Sequence, residues 1–168
     1  MQLELLDEKH LDALLDFEIE NRAYFEALIE SRGESFYRRQ VILSHIRDLM
    51  SDYETGDKLS SLVMQGEQVI ARANIKEIDD DKASAEVGYR VAEAAAGKGV
   101  ASFALSSLIE LAKTQLALKS LTAWVMSNNP ASARVLEKQG FTKQQTIQNY
   151  YCFHGRYLAC SEYRLTLE

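Results

Sequence analysis

The 168-residue sequence predicts an α+β fold, with a mixed, mostly antiparallel central sheet flanked by helices. Three observations carry that expectation. Apolar residues recur at helical spacing in three long stretches, short β-branched runs lie between and after them, and the two kinds of segment interleave along the chain. With a single Pro and no linker, repeat or low-complexity segment, residues 1–168 are expected to form one domain.

Residues 2–6 are a candidate first strand. From Asp7, a suitable N-cap, to about Arg22, the residues Leu11, Leu14, Leu15 and Ile19 share one helix face. Gly33 and its polar neighbours end that pattern. A second helix is expected over 34–52, carrying Phe36, Tyr37, Val41, Ile42, Ile46 and Leu49. Residues 58–65 and 68–76 read as a hairpin turning at Gly66-Glu67. Asp79-Asp80-Asp81 marks the next turn, and 83–91 the next strand. The stretch 100–116 is strongly helical and 121–126 is a short strand. A short helix over 131–138 is closed by Gly140 at the C′ position. Residues 141–152 and 157–167 pair around His154-Gly155-Arg156. The expected order is (β)-α-α-β-β-β-α-β-α-β-β.

No apolar run approaches the roughly 20 residues that a membrane helix needs. The acidic start, Met1-Gln2-Leu3-Glu4, lacks the basic-then-apolar pattern of an export signal, so a cytoplasmic protein without a membrane partner is expected. Cys152 and Cys160 have no His or Cys at ligand spacing, which favours two reduced thiols over a metal site or a disulfide framework. The net charge of −6 is uneven: residues 1–60 hold 14 acidic and 7 basic side chains, residues 61–168 hold 11 and 12. Nucleic acid is disfavoured as a partner, because phosphate neutralisation needs clustered Lys and Arg. The acidic segment suits a cationic acceptor such as an amine or basic peptide, and it also reads as solvated helix faces.

Two segments carry chemistry. Glu86-Val87-Gly88-Tyr89-Arg90-Val91 runs as a strand into Ala96-Gly97-Lys98-Gly99-Val100-Ala101, a small-residue loop that opens a helix. Such a junction leaves backbone N–H groups unpaired at the positive end of a helix dipole, where a pyrophosphate can approach. The loop fails as a dinucleotide fingerprint, because Ser102 stands at the third glycine and no acidic residue follows about 20 residues on. It also fails as a P-loop. The second segment, Asn129-Pro130-Ala131-Ser132-Ala133-Arg134-Val135-Leu136-Glu137-Lys138-Gln139-Gly140-Phe141, places Asn129 and Ser132 on one turn at a helix start.

Together the two segments resemble the GNAT family of acetyl-CoA-dependent N-acetyltransferases, and the branch that includes the ribosomal-protein Nα-acetyltransferases. The likeness spans about residues 2–167, and its specific motifs lie within 83–141. It implies that the loop 96–101, with Gly99 and Ala101 as its small positions, holds the acetyl-CoA pyrophosphate. The family's Arg or Gln falls on Ala96, so weakened cofactor affinity is expected; Lys98 adds charge. It implies that the strand end at Tyr89, Arg90 and Val91 splays at a bulge and pairs with the pantetheine arm, while a freed N–H binds the developing oxyanion. It also implies that Asn129 holds the pantetheine amides, that Ser132 protonates the departing thiolate, and that Arg134 reaches the ribose phosphate. Each has a plainer reading: a paired strand, and an N-cap at Asn129.

Acetyl transfer needs a neutral amine, hence a base, and Glu86 is the one carboxylate on the motif-bearing strand, sharing a face with Gly88. An ordinary surface Glu is the alternative. Tyr150-Tyr151 are further candidates for acceptor contact. His10, His45 and His154 form no triad with a nucleophile, so covalent catalysis is disfavoured. The resulting expectation is an N-acetyltransferase acting by direct attack on a primary amine, such as the N-terminus of a ribosomal protein. The alternatives are a polyamine, aminoglycoside or amino-acid acetyltransferase, a non-catalytic acyl-CoA-binding sensor, and a plain interaction domain. A homodimer is expected from the resemblance alone.

Overall fold

A computed structural model describes residues 1–79, 81 and 83–168, so Asp80 of the expected acidic turn lies outside the described residues. Seven strands form one sheet: β1 (Gln2–Leu5), β2 (Leu59–Gln65), β3 (Gln68–Lys76), β4 (Ser84–Val91), β5 (Ser120–Met126), β6 (Thr142–Phe153) and β7 (Arg156–Thr166). Their order is β1-β2-β3-β4-β5-β7-β6. Every neighbouring pair is antiparallel except β4 with β5. The helices are α1 (Leu11–Glu20), α2 (Arg22–Glu26), α3 (Arg39–Thr55), α4 (Val100–Thr114) and α5 (Pro130–Lys138). The predicted class and order of the long elements hold, and the differences are local.

The first helix begins one turn later than its expected cap. Asp7 caps a 3-10 turn, Glu8–His10, by accepting the Lys9 amide, while its own amide donates to His10 Nδ1. Asn21 ends α1 with a reason the sequence hides. Buried, it donates Nδ2 to the Phe17 carbonyl and accepts the Glu93 amide at 2.9 Å, so it ties α1 to the segment after β4. The unforeseen α2 starts directly beyond it. The expected helix over 34–52 splits into a 3-10 turn, Glu34–Tyr37, and α3, because Arg38 is extended. Phe36 and Tyr37 then serve as aromatic platforms under the guanidinium groups of Arg32 and Arg22. Gly56, at φ 82°, closes α3 in the left-handed region.

Strand alternation divides the sheet into two faces. On one, Arg72 reaches Glu18 of α1 and His45 of α3. On the other, Tyr89 reaches Ser132 at the start of α5. The core is continuous from Leu14, Ile42 and Ile46 through Leu62 and Ile75 to Leu105, Leu108 and Leu121, all fully buried. Cys152 is exposed, Cys160 is buried, and both are free thiols. Among the described residues, no helix is long and apolar enough to cross a membrane.

Leu108 anchors α4, the helix that carries the candidate loop. Leu108→Ala is expected to cost about 2–5 kcal/mol, from lost transfer energy and the residual cavity. A urea denaturation series checks this through a lower midpoint at unchanged slope.

Candidate active site

The site begins where a pairing stops. β4 and β5 pair only at Ser84↔Ser120, Ala85↔Leu121 and Glu86↔Thr122. Beyond that, β4 stays with β3 to Val91, and β5 stays with β7 to Met126. Which backbone groups this frees follows from alternation. The Ala92 amide donates to the Ile70 carbonyl, so Arg90 and Gly88 also direct their amides and carbonyls to β3. Tyr89 and Val91 therefore direct theirs into the gap. The splay expected at this strand end is present, but β4 runs against β3 without a register shift, so no bulge in that pairing causes it. Arg90 also departs from expectation, because its main chain is paired with Arg72 across β3.

The gap opens a cleft of about 420 Å³. Its walls include Tyr89, Arg90 and Val91, then Ala96, Gly97, Gly99, Val100 and Ala101, and then Asn129, Ser132 and Arg134. Three segments thus meet as expected. Lys98 does not line the cleft and is exposed. The loop needs its glycines: Gly97 (φ 72°) and Gly99 (φ 80°) are both left-handed, and an added Cβ at either would meet open space. Glycine there leaves the backbone bare toward the cleft. One correction concerns the amides of 96–101. That of Ala96 is spent on the Glu93 carbonyl, whereas those of residues 97–102 have no backbone partner among the described residues. No side chain caps α4 either.

Asn129 does cap α5, accepting the Ser132 amide, with Pro130 at the first helical position. That uses Oδ1 and leaves Nδ2 without a partner among the described residues, so the cap does not exhaust the side chain. Ser132 Oγ and Tyr89 Oη lie 3.0 Å apart, and burial pushes the Tyr89 phenol above its ordinary value. The sequence reading missed this hydroxyl pair, although both residues were singled out for other reasons. It also missed Lys138, one turn beyond Arg134 on the same helix, Tyr24 and Phe25 from α2, and Leu28 just after it.

On the opposite face, a second cavity of about 380 Å³ shares Phe25, Leu28, Tyr89, Arg90 and Asn129 with the first, so the two meet at the splay. Glu86 sits just outside it, its Oε1 3.1 Å from Lys76 Nζ, and Lys76 does line it. Tyr151 lines neither cavity; its hydroxyl donates to Glu30 at 3.2 Å, and Tyr150 is exposed. Behind the cavity lies a buried ionic cluster. Glu18 accepts from Arg72 at 2.7 Å, with Arg32 and Arg90 each 3.7 Å away. Burial alone would raise the Glu18 carboxyl, but Arg72, Arg90 and Arg32 hold it below the usual carboxylate range. Arg90, stacked on Phe25, is lowered to about 10 by burial and by Arg32 and Arg72, against the pull of Glu18. Arg72 also donates to His45 Nε2 at 2.8 Å; a guanidinium only donates, so His45 is the neutral Nδ1–H tautomer. Burial first, then Arg72 and Arg32, bring His45 down to about 4. The acidic residues of the first sixty do not line this cavity, whereas Arg32 and Lys58 do.

A family model described as an acetyltransferase (GNAT) domain matches residues 1–142. The chain is 30% identical over 115 residues to the uncharacterized N-acetyltransferase p20 of Bacillus licheniformis, covering 68% of this chain and 64% of that protein. It is 27% identical over 133 residues to the probable N-acetyltransferase YjcK of Bacillus subtilis, covering 77% and 74%. The fold is similar to that of the ribosomal-protein-S5-alanine acetyltransferase from Vibrio fischeri, with a TM-score of 0.92, 18% identity, and coverage of 99% and 93%. The spermidine N-acetyltransferase SpeG from Vibrio cholerae also shares it, at a TM-score of 0.79, 17% identity, and coverage of 99% and 95%.

Two predictions follow from the cluster. Glu18→Gln leaves three guanidinium groups facing one another, and removing one partner of a buried pair costs about 3–5 kcal/mol; chemical denaturation reads the loss. His45 has a folded pKa below its unfolded value, so its contribution is complete above about 6.5 and is lost as pH falls toward about 4. The thermal midpoint of a His45→Gln variant is expected to fall less steeply than that of the unaltered protein across that window.

Proposed function

The chain belongs to the GNAT acetyltransferase family, which makes it an acetyl-CoA-dependent N-acetyltransferase, and on that premise we propose that residues 1–168 act as one cytoplasmic domain that acetylates a primary amine by direct attack. A protein N-terminus, such as that of a ribosomal protein, is the acceptor we favour. A small amine is the second reading, supported by a fold likeness of comparable coverage, though lower TM-score, to a spermidine acetyltransferase. The observation that carries the proposal is the convergence on one cleft of a free strand edge, at Tyr89 and Val91, with the unpaired amides of residues 97–102.

Acetyl-CoA, when bound, supplies an activated acyl group on a thiol that leaves. The amides of the Gly97–Ser102 segment hold its pyrophosphate at the N-terminus of α4, where the helix dipole favours negative charge. Arg134 and Lys138 add charge on the α5 side. The main chain of Tyr89 and Val91 hydrogen-bonds the pantetheine amides as an added strand would, and Asn129 Nδ2 contributes a further donor. Losing an Arg or Gln at Ala96 removes one contact but none of these amides, so binding weakens without vanishing. A free N–H at the end of β4 faces the carbonyl oxygen where charge develops. The Ser132 hydroxyl, hydrogen-bonded to Tyr89, delivers a proton to the departing sulfur. Glu86, released from Lys76, accepts the proton of the attacking amine, directly or through water. Direct attack asks of the protein only positioning, charge stabilisation and this proton traffic.

The test is thermal unfolding with acetyl-CoA, desulfo-CoA and NAD. A ligand that binds the folded state raises the midpoint by an amount set by its excess over Kd. A rise with both CoA compounds and none with NAD supports the reading; no rise with either CoA compound overturns it. Glu86→Gln is then expected to lower kcat and shift the pH–rate profile, and unaltered turnover would remove Glu86 as the base. Gly99→Val, which forces a β-branched residue into the left-handed region and covers the loop, is expected to weaken desulfo-CoA binding by about tenfold or more.

A further inference from the structure

The cavity on the acceptor side is lined by five cationic side chains, Arg32, Lys58, Arg72, Lys76 and Arg90, and among the described residues no carboxylate lines it. Two carboxylates touch these cations from outside the cavity. Glu18 meets Arg72, Arg32 and Arg90, and Glu86 meets Lys76. Lys58 has no ion pair among the described residues. The cavity's own lining is therefore net positive, and the nearest further carboxylates, Asp52, Asp57, Glu77 and Asp79, border a neighbouring cavity that Lys58 and Lys76 also line. Burial first, and then Lys76 and Arg72, lowers the Lys58 ammonium against the pull of Asp52.

A second, independent feature lies in the same wall. Asn74 pairs with Gly88 across β3 and β4, beside the splay, and its Oδ1 is buried without a hydrogen-bond partner. Its neighbour across β2, Ser60, also has a buried hydroxyl without one. A buried acceptor without a donor costs about 1–3 kcal/mol, and an entering amine offers the missing N–H.

We propose that the acceptor carries an anionic group, a carboxylate or phosphate, seated among Arg32, Lys58 and Lys76, while its amine is held at Asn74 Oδ1 next to Gly88. This rests on the acetyltransferase reading and reverses the preference for a cationic acceptor drawn from the acidic N-terminal segment. Of that segment's charged residues only Arg32 and Lys58 line the cavity, and Glu18 lies buried behind it among the guanidinium groups. The anion has two sources: an acidic side chain near a protein N-terminus, or a small amino acid or phosphorylated amine.

The experiment is thiol release from acetyl-CoA with matched acceptors. One arm uses N-terminal peptides of equal length whose second and third residues are acidic, neutral or basic. The other uses small amines with and without a carboxylate or phosphate. Within whichever scaffold turns over, the anionic members are expected to exceed the others about tenfold or more in kcat/KM. Lys58→Met and Arg32→Gln are expected to raise KM for the anionic acceptor while the KM for acetyl-CoA stays in place. A third arm needs no turnover: inorganic phosphate is titrated into protein saturated with desulfo-CoA, and its binding is expected to weaken in Lys58→Met. Equal or better turnover of basic acceptors, or phosphate binding indifferent to Lys58, overturns the inference and leaves the acetyltransferase reading intact. Absence of any CoA binding strikes that reading instead, and phosphate titration without desulfo-CoA still decides whether Lys58 holds an anion.

Discussion

A strand that leaves its neighbour must still satisfy its backbone. β4 and β5 are parallel partners for three residue pairs and then diverge, each held by another strand on its far side. The groups that lose their partner belong to Tyr89 and Val91, in the middle of the sheet and not at an edge open to solvent. Unpaired backbone polar groups away from water are costly, and nature seldom leaves them so without a ligand in view. The cleft, the loop at its mouth and the meeting of the two cavities all follow from this one divergence. Had β4 and β5 paired along their full length, Asn129 and Ser132 would face a closed sheet.

Around the divergence the protein is made rigid by polar contacts that join distant segments. Asn21 bridges α1 to the segment after β4 through the Glu93 amide, which sets the position of the loop preceding α4. Glu18, also on α1, gathers Arg72, Arg32 and Arg90. Helix α1 and its C-cap therefore brace both sides of the sheet's opening: Asn21 fixes the segment before α4, and Glu18 orders the cations of the second cavity. A buried carboxylate shared among three guanidinium groups is a poor device for stability alone, because desolvation offsets much of the attraction. It is an effective one for holding guanidinium groups in set directions.

Much of the fold was legible because its signals are local. The hairpin of β2 and β3, the long α4, the capped α5 and the final hairpin each declare themselves within one stretch of chain, by apolar period or by a Gly or Asn where the backbone turns. The misses have physical causes of the opposite kind. Arg38 breaks the expected second helix, and Phe36 and Tyr37 make cation–π contacts with Arg32 and Arg22 upstream. α2 is too short to show a period. Ala96 spends its amide on Glu93 within a 3-10 turn that no residue type announced.

By itself the sequence determined the element order, the glycine loop opening α4, and the Asn129–Ser132 turn, because helix starts and left-handed glycines are chosen by residues within a few positions of one another. It also carried the family resemblance through those same motifs. Only the tertiary structure decided which of Tyr89, Arg90 and Val91 present free backbone, since that depends on hydrogen bonds made to β3. It alone decided the sign of charge lining the second cavity. Arg32, Lys58, Arg72 and Arg90 are spread over nearly sixty positions, and the acidic residues among them outnumber them along the chain. Strand pleat and helix face sort the two signs apart, sending the cations inward and most of the carboxylates to water.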